Sequence, residues 1–320
     1  MMRAVAFASA IAATLAADVP TVTLADGRKL PRICLGTGGT NETYSVTTAL
    51  EVGYPCVDSA LDYGDQPEVA KGLATKPRES YWLQTKVPGC LAGVKVLPPD
   101  CHGGTQKAIQ LNLERLNVSY VDLLLIHTPP GLDFVFKSCG VPLNCKMIQA
   151  QWRALEEAKA AGQALSIGVA NYCPKCYECL METATEKPVV NQLEWHVGMG
   201  AELSGFKEYF AKEGVQIQAY SPLGPGAMFG RSGSLAKDED CRAIGAKHNV
   251  SGVSAALKWV EKRAPVVSRS SSRAHLASNL DLYSFDLDGE DMAKLDARTT
   301  PEGTRGGPSL ACSYSEEVVV

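Results

Sequence analysis

The chain has no surplus of either charge and no long basic run. Its 31 lysines and arginines stand against 35 aspartates and glutamates, for a formal net charge of -4. That balance removes the electrostatic footprint of a protein built for DNA, RNA or an acidic membrane surface. No apolar run approaches the roughly 18 residues that a bilayer span requires, so no membrane span is expected. There is also no low-complexity segment and no internal repeat longer than a strand-plus-helix unit. What is present is 320 residues, 45% of them hydrophobic, enough to bury one large core or two ordinary ones. Small-molecule chemistry in a monomer is the expectation that these absences leave.

The N-terminus reads Met-Met-Arg, then an apolar run from Ala4 to Ala13, then Thr14-Leu15-Ala16. This is the layout of a secretory signal occupying residues 1–16, with a loosely structured alanine-rich extension as the bland alternative. A secretory or organelle-lumen location is expected, with the cytoplasm as the alternative. Eleven cysteines, most of them in loops, point to an oxidising compartment. Cys90 with Cys101, and Cys139 with Cys145, each close a short loop and are the candidate bridges. Cys173-x-x-Cys176-x-x-Cys179 offers three thiols but no nearby fourth ligand, so no metal site is expected.

From residue 33 to 300, short β-branched runs alternate with amphipathic helical stretches, the pattern of parallel strands joined by helical crossovers. Eight strands are expected, at 33–36, 56–59, 81–86, 121–126, 165–169, 189–194, 216–220 and 265–268. Helices are expected between them at 44–52, 68–74, 105–116, 148–161, 205–213 and 239–247. Eight βα units over about 270 residues suit a single (β/α)8 TIM barrel, taken here as 17–300. Before the first strand, an Asp26-Gly27 turn between two short arms predicts a hairpin that plugs the barrel bottom. The turn-rich segment 301–320 reads as a flexible tail.

Barrels of this kind build their chemistry at the C-terminal ends of the strands. Asp58, Lys86, His127, Asn171, Gln192, the pair Tyr220-Ser221 and the pair Arg269-Ser270 fall at seven of these ends, each after an apolar run. Any one of them could be a solvated loop residue, but seven on one rim imply a shared site. Tyr63 lies five residues beyond Asp58. A phenol acts as an acid near neutrality only if a neighbouring cation lowers its pKa. Lys86 is that cation, and Asp58 is the group that keeps it charged.

This constellation resembles the aldo-keto reductases over about residues 30–295. Gly53-Tyr-Pro-Cys-Val-Asp58-Ser-Ala-Leu-Asp-Tyr63-Gly is similar to the family's first signature. Leu-Leu-Leu-Ile-His127-Thr-Pro, Ile-Gly-Val-Ala-Asn171-Tyr, Val-Asn-Gln192-Leu-Glu-Trp-His196 and Ala-Tyr220-Ser-Pro-Leu-Gly224 follow in the family's order. The resemblance implies reduction of aldehydes and ketones to alcohols by hydride from a nicotinamide cofactor. Tyr63, Lys86, Asp58 and His127 would be its catalytic tetrad, with Tyr63 as the acid and His127 orienting the carbonyl. It further implies that Asn171 and Gln192 hold the carboxamide, Tyr220 stacks on the nicotinamide ring, and Ser221, Leu223 and Gly224 pass the pyrophosphate. Arg269 and Ser270 would hold the adenosine 2′-phosphate and Asn279 the adenine. Two other readings share these residues: alcohol or sugar oxidation, and a cofactor-binding regulatory barrel with little turnover.

Several positions depart from the family pattern. Ala170 replaces a serine beside Asn171, and His275 replaces an arginine that clamps the 2′-phosphate, leaving Arg273 as the substitute guanidinium. NADPH is the expected cofactor, with NADH as the alternative. Gly38 and Thr128 stand where two pocket tryptophans are usual, which should widen the pocket, and Asp65-Gln66 replaces an Asn-Glu pair. An inserted loop from Pro88 to Gly104 follows Lys86 directly and should overhang the site.

Overall fold

The computed structural model describes residues 19–39, 42–90, 100–130, 145–224 and 235–298. The expected signal segment, the expected tail, most of the inserted loop, Cys139 and Cys312 lie outside the described residues.

Strands β1 (Thr21–Thr23) and β2 (Lys29–Pro31) form the antiparallel hairpin. Eight parallel strands then close a barrel: β3 (Ile33–Gly36), β4 (Cys56–Asp58), β5 (Trp82–Val87), β6 (Val121–Ile126), β7 (Ala164–Ala170), β8 (Val190–Glu194), β9 (Gln216–Tyr220) and β10 (Val266–Ser268). They pair in chain order, and β10 closes on β3. The (β/α)8 expectation holds strand for strand. Leu24 and Leu30 of the hairpin pack with Leu123 and Leu125 of the barrel interior, and Ser166 of β7 donates to Asp26 Oδ2 at 2.6 Å. The hairpin is therefore a plug for the barrel, as its turn signal indicates.

Alternation along β5 sets up the site. Trp82 joins the interior cluster while Leu83 and Val87 face the surrounding helices. Thr85 also faces outward, donating from Oγ1 to Asn112 of helix α3 at 2.7 Å. A period of two then sends Gln84 and Lys86 inward. Around the barrel run α1 (Glu42–Val52), α2 (Gln66–Leu73), α3 (Cys101–Leu116), α4 (Cys145–Ala160), α5 (Pro174–Met181) and α6 (Phe206–Lys212). Helices α7 (Glu239–Lys247) and α8 (Gly252–Glu261) precede β10, and α9 (Arg273–Leu280) and α10 (Gly289–Asp296) follow it. α3 starts four residues earlier than its apolar pattern predicts, because the Asp100 side chain caps it by accepting from the Gly103 N–H at 2.6 Å.

Three disulfides are formed among the described residues. Cys90–Cys101 joins the two ends of the inserted loop, as expected. Cys145 is bonded to Cys179 rather than to Cys139, because α4 and α5 lie side by side; sequence proximity was the wrong guide. Cys34–Cys56 links neighbouring strands β3 and β4 inside the barrel and was not anticipated.

Candidate active site

Lys86 is buried at the upper end of β5 and Asp58 is buried at the end of β4. Lys86 Nζ donates to Asp58 Oδ2 at 2.6 Å and to the Ser59 carbonyl at 3.1 Å. Burial disfavours the ammonium, but Asp58, Tyr63 and Asp62 together outweigh it and hold the Lys86 pKa above the ordinary lysine value.

Tyr63 closes a single 3-10 turn, Leu61–Tyr63, which ends on Gly64 at φ 75°, a left-handed conformation that suits glycine. One part of its ring is open, with 39% of the residue exposed. Lys86 lies over this ring, with Nζ 5.4 Å from its centroid. Burial pushes the phenol up to about 12, and the Lys86 charge works against that rise. His127, just past β6, meets the Tyr63 ring edge-on at 5.5 Å. Asp58, Tyr63, Lys86 and His127 are thus brought together.

Three further polar groups at the site were not foreseen. Asp62 accepts from His127 Nδ1, with both carboxylate oxygens at 2.9 Å. Burial would raise the Asp62 pKa, but His127 and, more weakly, Lys86 outweigh it and hold the carboxyl below its ordinary range. Below Asp58, the Gln84 amide donates to Asp58 Oδ1 at 2.6 Å and to Gln218 Oε1 at 2.8 Å. The Gln192 amide does the same at 3.0 and 2.8 Å. Asp58 therefore accepts from a lysine and two amides. Gln84 and Gln218 lie two residues before Lys86 and Tyr220, so strand alternation contains the signal for both. Asp62 sits on a turn, where no periodicity identifies it.

The departures at Gly38 and Asp65-Gln66 now have physical roles. A Cβ on Gly38, at φ 91°, would lie 2.9 Å from Tyr63 Cδ2, so this glycine makes room for the tyrosine ring. Asp65 Oδ2 accepts from the Gly38 N–H at 2.8 Å, tying that loop to the start of α2. Gln66 donates to Thr85 Oγ1 and to Asn112 Oδ1 at 3.1 and 2.6 Å, fixing α2 to the strand that carries Lys86.

The residues assigned to a cofactor form two groups. Asn171, left-handed at φ 61°, donates to the His127 carbonyl at 2.9 Å and accepts from the Tyr220 hydroxyl at 2.8 Å. Gln192 adjoins them through its main-chain carbonyl, which accepts from the Asn171 N–H at 3.0 Å. Ser221 at φ 49° and Gly224 at φ 91° carry the chain, with Leu223 between them, away from β9. The second group follows β10. Arg269 donates to the Gly38 carbonyl across the mouth, and Ser270 Oγ accepts from the Ser272 N–H. Arg273 is paired with Glu51 of α1 at 2.6 Å, so as it stands its guanidinium is engaged there. His275 is exposed in the first turn of α9. Asn279 is buried against Ser268, to which it donates at 3.4 Å. Cys179 is held in its disulfide, so the three-cysteine spacing does not supply three metal ligands.

The profile of the Aldo/keto reductase family matches residues 33–299. The chain belongs to this family. An aldo-keto reductase of Mycolicibacterium vanbaalenii is 33% identical over 302 residues, covering 92% of this chain and 97% of that protein. The NADPH-dependent codeinone reductase 1-1 of Papaver somniferum is 29% identical over 298 residues, covering 87% and 88%. A solved aldo/keto reductase from Brucella melitensis superimposes with a TM-score of 0.73 at 29% identity, covering 87% of this chain and 98% of that one. Membership makes this aldo-keto reductase an oxidoreductase that acts on carbonyl compounds, a class that generally uses a nicotinamide cofactor. Among the described residues, no helix is long and apolar enough to cross a membrane.

Proposed function

We propose that this aldo-keto reductase reduces aldehydes or ketones with NADPH, and that Tyr63 is the acid. The observation that carries the reading is the buried Asp58–Lys86 pair set 5.4 Å from the centre of the Tyr63 ring. The residues fit the cofactor: the Asn171 amide and the Gln192 side-chain oxygen for a carboxamide, the Tyr220 ring bonded to Asn171 beside them, and Arg269, Ser270 and His275 near the start of α9 for a phosphate. When bound, the reduced nicotinamide supplies a hydride to the carbonyl carbon.

Tyr63 gives its hydroxyl proton to the carbonyl oxygen as negative charge develops there. Lys86 stabilises the phenolate left behind, and Asp58 keeps Lys86 charged throughout. Asp62 accepts from His127 Nδ1, so the ring donates to the carbonyl oxygen from Nε2 in its doubly protonated form, in which both nitrogens are donors. Three disulfides suit a secretory or organelle lumen. The test is NADPH oxidation with a panel of aldehydes. Wild type should turn over and Tyr63→Phe should lose activity on the order of 10² to 10⁴-fold; an undiminished rate for the variant removes the mechanism.

A further inference from the structure

Carbonyl reduction leaves one group of nucleophiles unused. β7 ends at Ala170, and after Asn171 and Tyr172 the chain reads Cys173-Pro174-Lys175-Cys176 into α5. Cys173 is the N-cap of that helix and Pro174 its first residue, so the backbone enters the helix in a fixed conformation. The two sulfurs lie 3.9 Å apart, both as thiols. Cys173 is partly exposed and Cys176 is fully buried, which separates an attacking sulfur from a resolving one. The helix N-terminus and the adjacent exposed Lys175 both favour negative charge on the outer sulfur. A Cys-x-x-Cys placed between a strand and the start of a helix is the arrangement that suits exchange of disulfides.

We propose that Cys173 and Cys176 form a thiol–disulfide exchange site for low-molecular-weight disulfides such as oxidised glutathione. The Cys173 thiolate attacks one sulfur of the small disulfide, forming a mixed disulfide and expelling one thiolate. Cys176, deprotonated, then attacks Cys173 Sγ, closing the Cys173–Cys176 bond and expelling the second thiolate. Both leaving groups take up the two protons lost by the cysteines. The dithiol is oxidised by two electrons and the small disulfide is reduced to two thiols. Closure brings the sulfurs from 3.9 Å to about 2.05 Å, a change that side-chain rotation can supply.

The full chain is equilibrated in glutathione buffers of graded oxidation, quenched with acid, alkylated and mapped by peptide mass spectrometry. Wild type should interconvert between the dithiol and a Cys173–Cys176 disulfide, with the Cys34–Cys56, Cys90–Cys101 and Cys145–Cys179 peptides unchanged as a check on the fold. Cys176→Ser should accumulate a glutathione adduct on Cys173 and release one thiol instead of two. Cys173→Ser should leave Cys176 as a thiol. The proposal is overturned if neither cysteine responds, if the adduct of wild type or of either variant sits on Cys176, or if Cys173 joins any cysteine other than Cys176.

Discussion

Replacing Lys86 with methionine separates the two jobs assigned to this residue. The side chain keeps its length and apolar stem but loses the ammonium that is 2.6 Å from Asp58 Oδ2, at a place where the two side chains are 1% and 3% exposed. Breaking a buried ion pair typically costs about 3–5 kcal/mol, because the remaining charge is stranded. Asp58 is not stranded: the Gln84 and Gln192 amides still donate to Oδ1, at 2.6 and 3.0 Å. Hydrogen bonds to a charged group contribute about 1.5–3 kcal/mol each, so the loss should sit near the low end, about 3 kcal/mol. A native stability of about 5–15 kcal/mol absorbs that, and the variant should fold. The folded lysine pKa is raised, so its contribution to stability is full below the ordinary value of 10.5 and fades as pH climbs through the folded one. The difference in unfolding free energy between wild type and variant should therefore be level from neutrality to about pH 10 and narrow above it. Chemistry should suffer more than folding. Without the cation, nothing opposes the burial that raises the Tyr63 phenol, and the fall in kcat/KM should be about 10³. Urea titration gives the first quantity, NADPH oxidation the second, and calorimetric titration of NADPH should show an affinity within about threefold of wild type. A folded variant whose kcat/KM stays within tenfold of wild type would refute the argument that Lys86 acidifies Tyr63.

Asp62→Asn removes a charge while keeping the shape. Because the Asp62 pKa is depressed in the folded protein, its stabilising effect is present above the ordinary 3.8 and disappears as pH drops through the folded value. Wild type should lead the variant in urea midpoint at neutral pH and lose that lead in acid; a lead that persists undiminished to pH 2 contradicts the assignment. Gly38→Ala places a Cβ 2.9 Å from the Tyr63 ring at a left-handed position, so kcat should fall by about 10² while melting reports a loss of about 1–3 kcal/mol. An alanine enzyme with full kcat would mean the ring has freedom the packing denies it. Gln84→Leu deletes a 2.6 Å bond to an ionised carboxylate and should cost about 1.5–3 kcal/mol in denaturant unfolding. No loss there would show that Gln192 alone satisfies Asp58 Oδ1.

The barrel was legible because its strands are short, apolar and regularly spaced, and a buried parallel strand leaves few other ways to read such runs. All eight strands match the expected limits to within one residue at each end, and Ile33–Gly36, Val121–Ile126 and Gln216–Tyr220 match at both ends. Helix starts were less legible where the start depends on a cap rather than on an apolar residue. Gly103 and Gly104 are poor helix formers, yet they lie inside α3 because Asp100 caps the first turn and Cys101 is tied to Cys90. Disulfides were the least legible feature. Cys34 and Cys56 meet because β3 and β4 are neighbours in the barrel, and Cys145 meets Cys179 because α4 and α5 are neighbours outside it. Neither pairing follows from separation along the chain.

The candidate site divides along the same physical line. Residues delivered by strands arrive where alternation sends them, so Asp58, Lys86 and Gln192 share one buried network with Gln84 and Gln218. The network changes what the lysine at the end of β5 requires. A buried ammonium needs one carboxylate, and a buried carboxylate left with a second oxygen needs further donors. Gln84 and Gln192 supply them, and Gln218 accepts the remaining amide protons, so the pair is satisfied on every side and cannot turn away from Tyr63 without breaking several bonds. Residues carried on turns obey no such period. Asp62 precedes Tyr63 on a single turn and is placed by that turn alone, yet it orients the His127 ring. An ordered charge network beside Tyr63 and a carboxylate beside His127 therefore hold two rings that meet edge-on at 5.5 Å. A double variant joining Asp62→Asn to Gln84→Leu tests whether the two supports act separately. They touch different members of the tetrad, so their effects on kcat/KM should multiply to within about a factor of two, whereas a shared support would give a clear departure from that product.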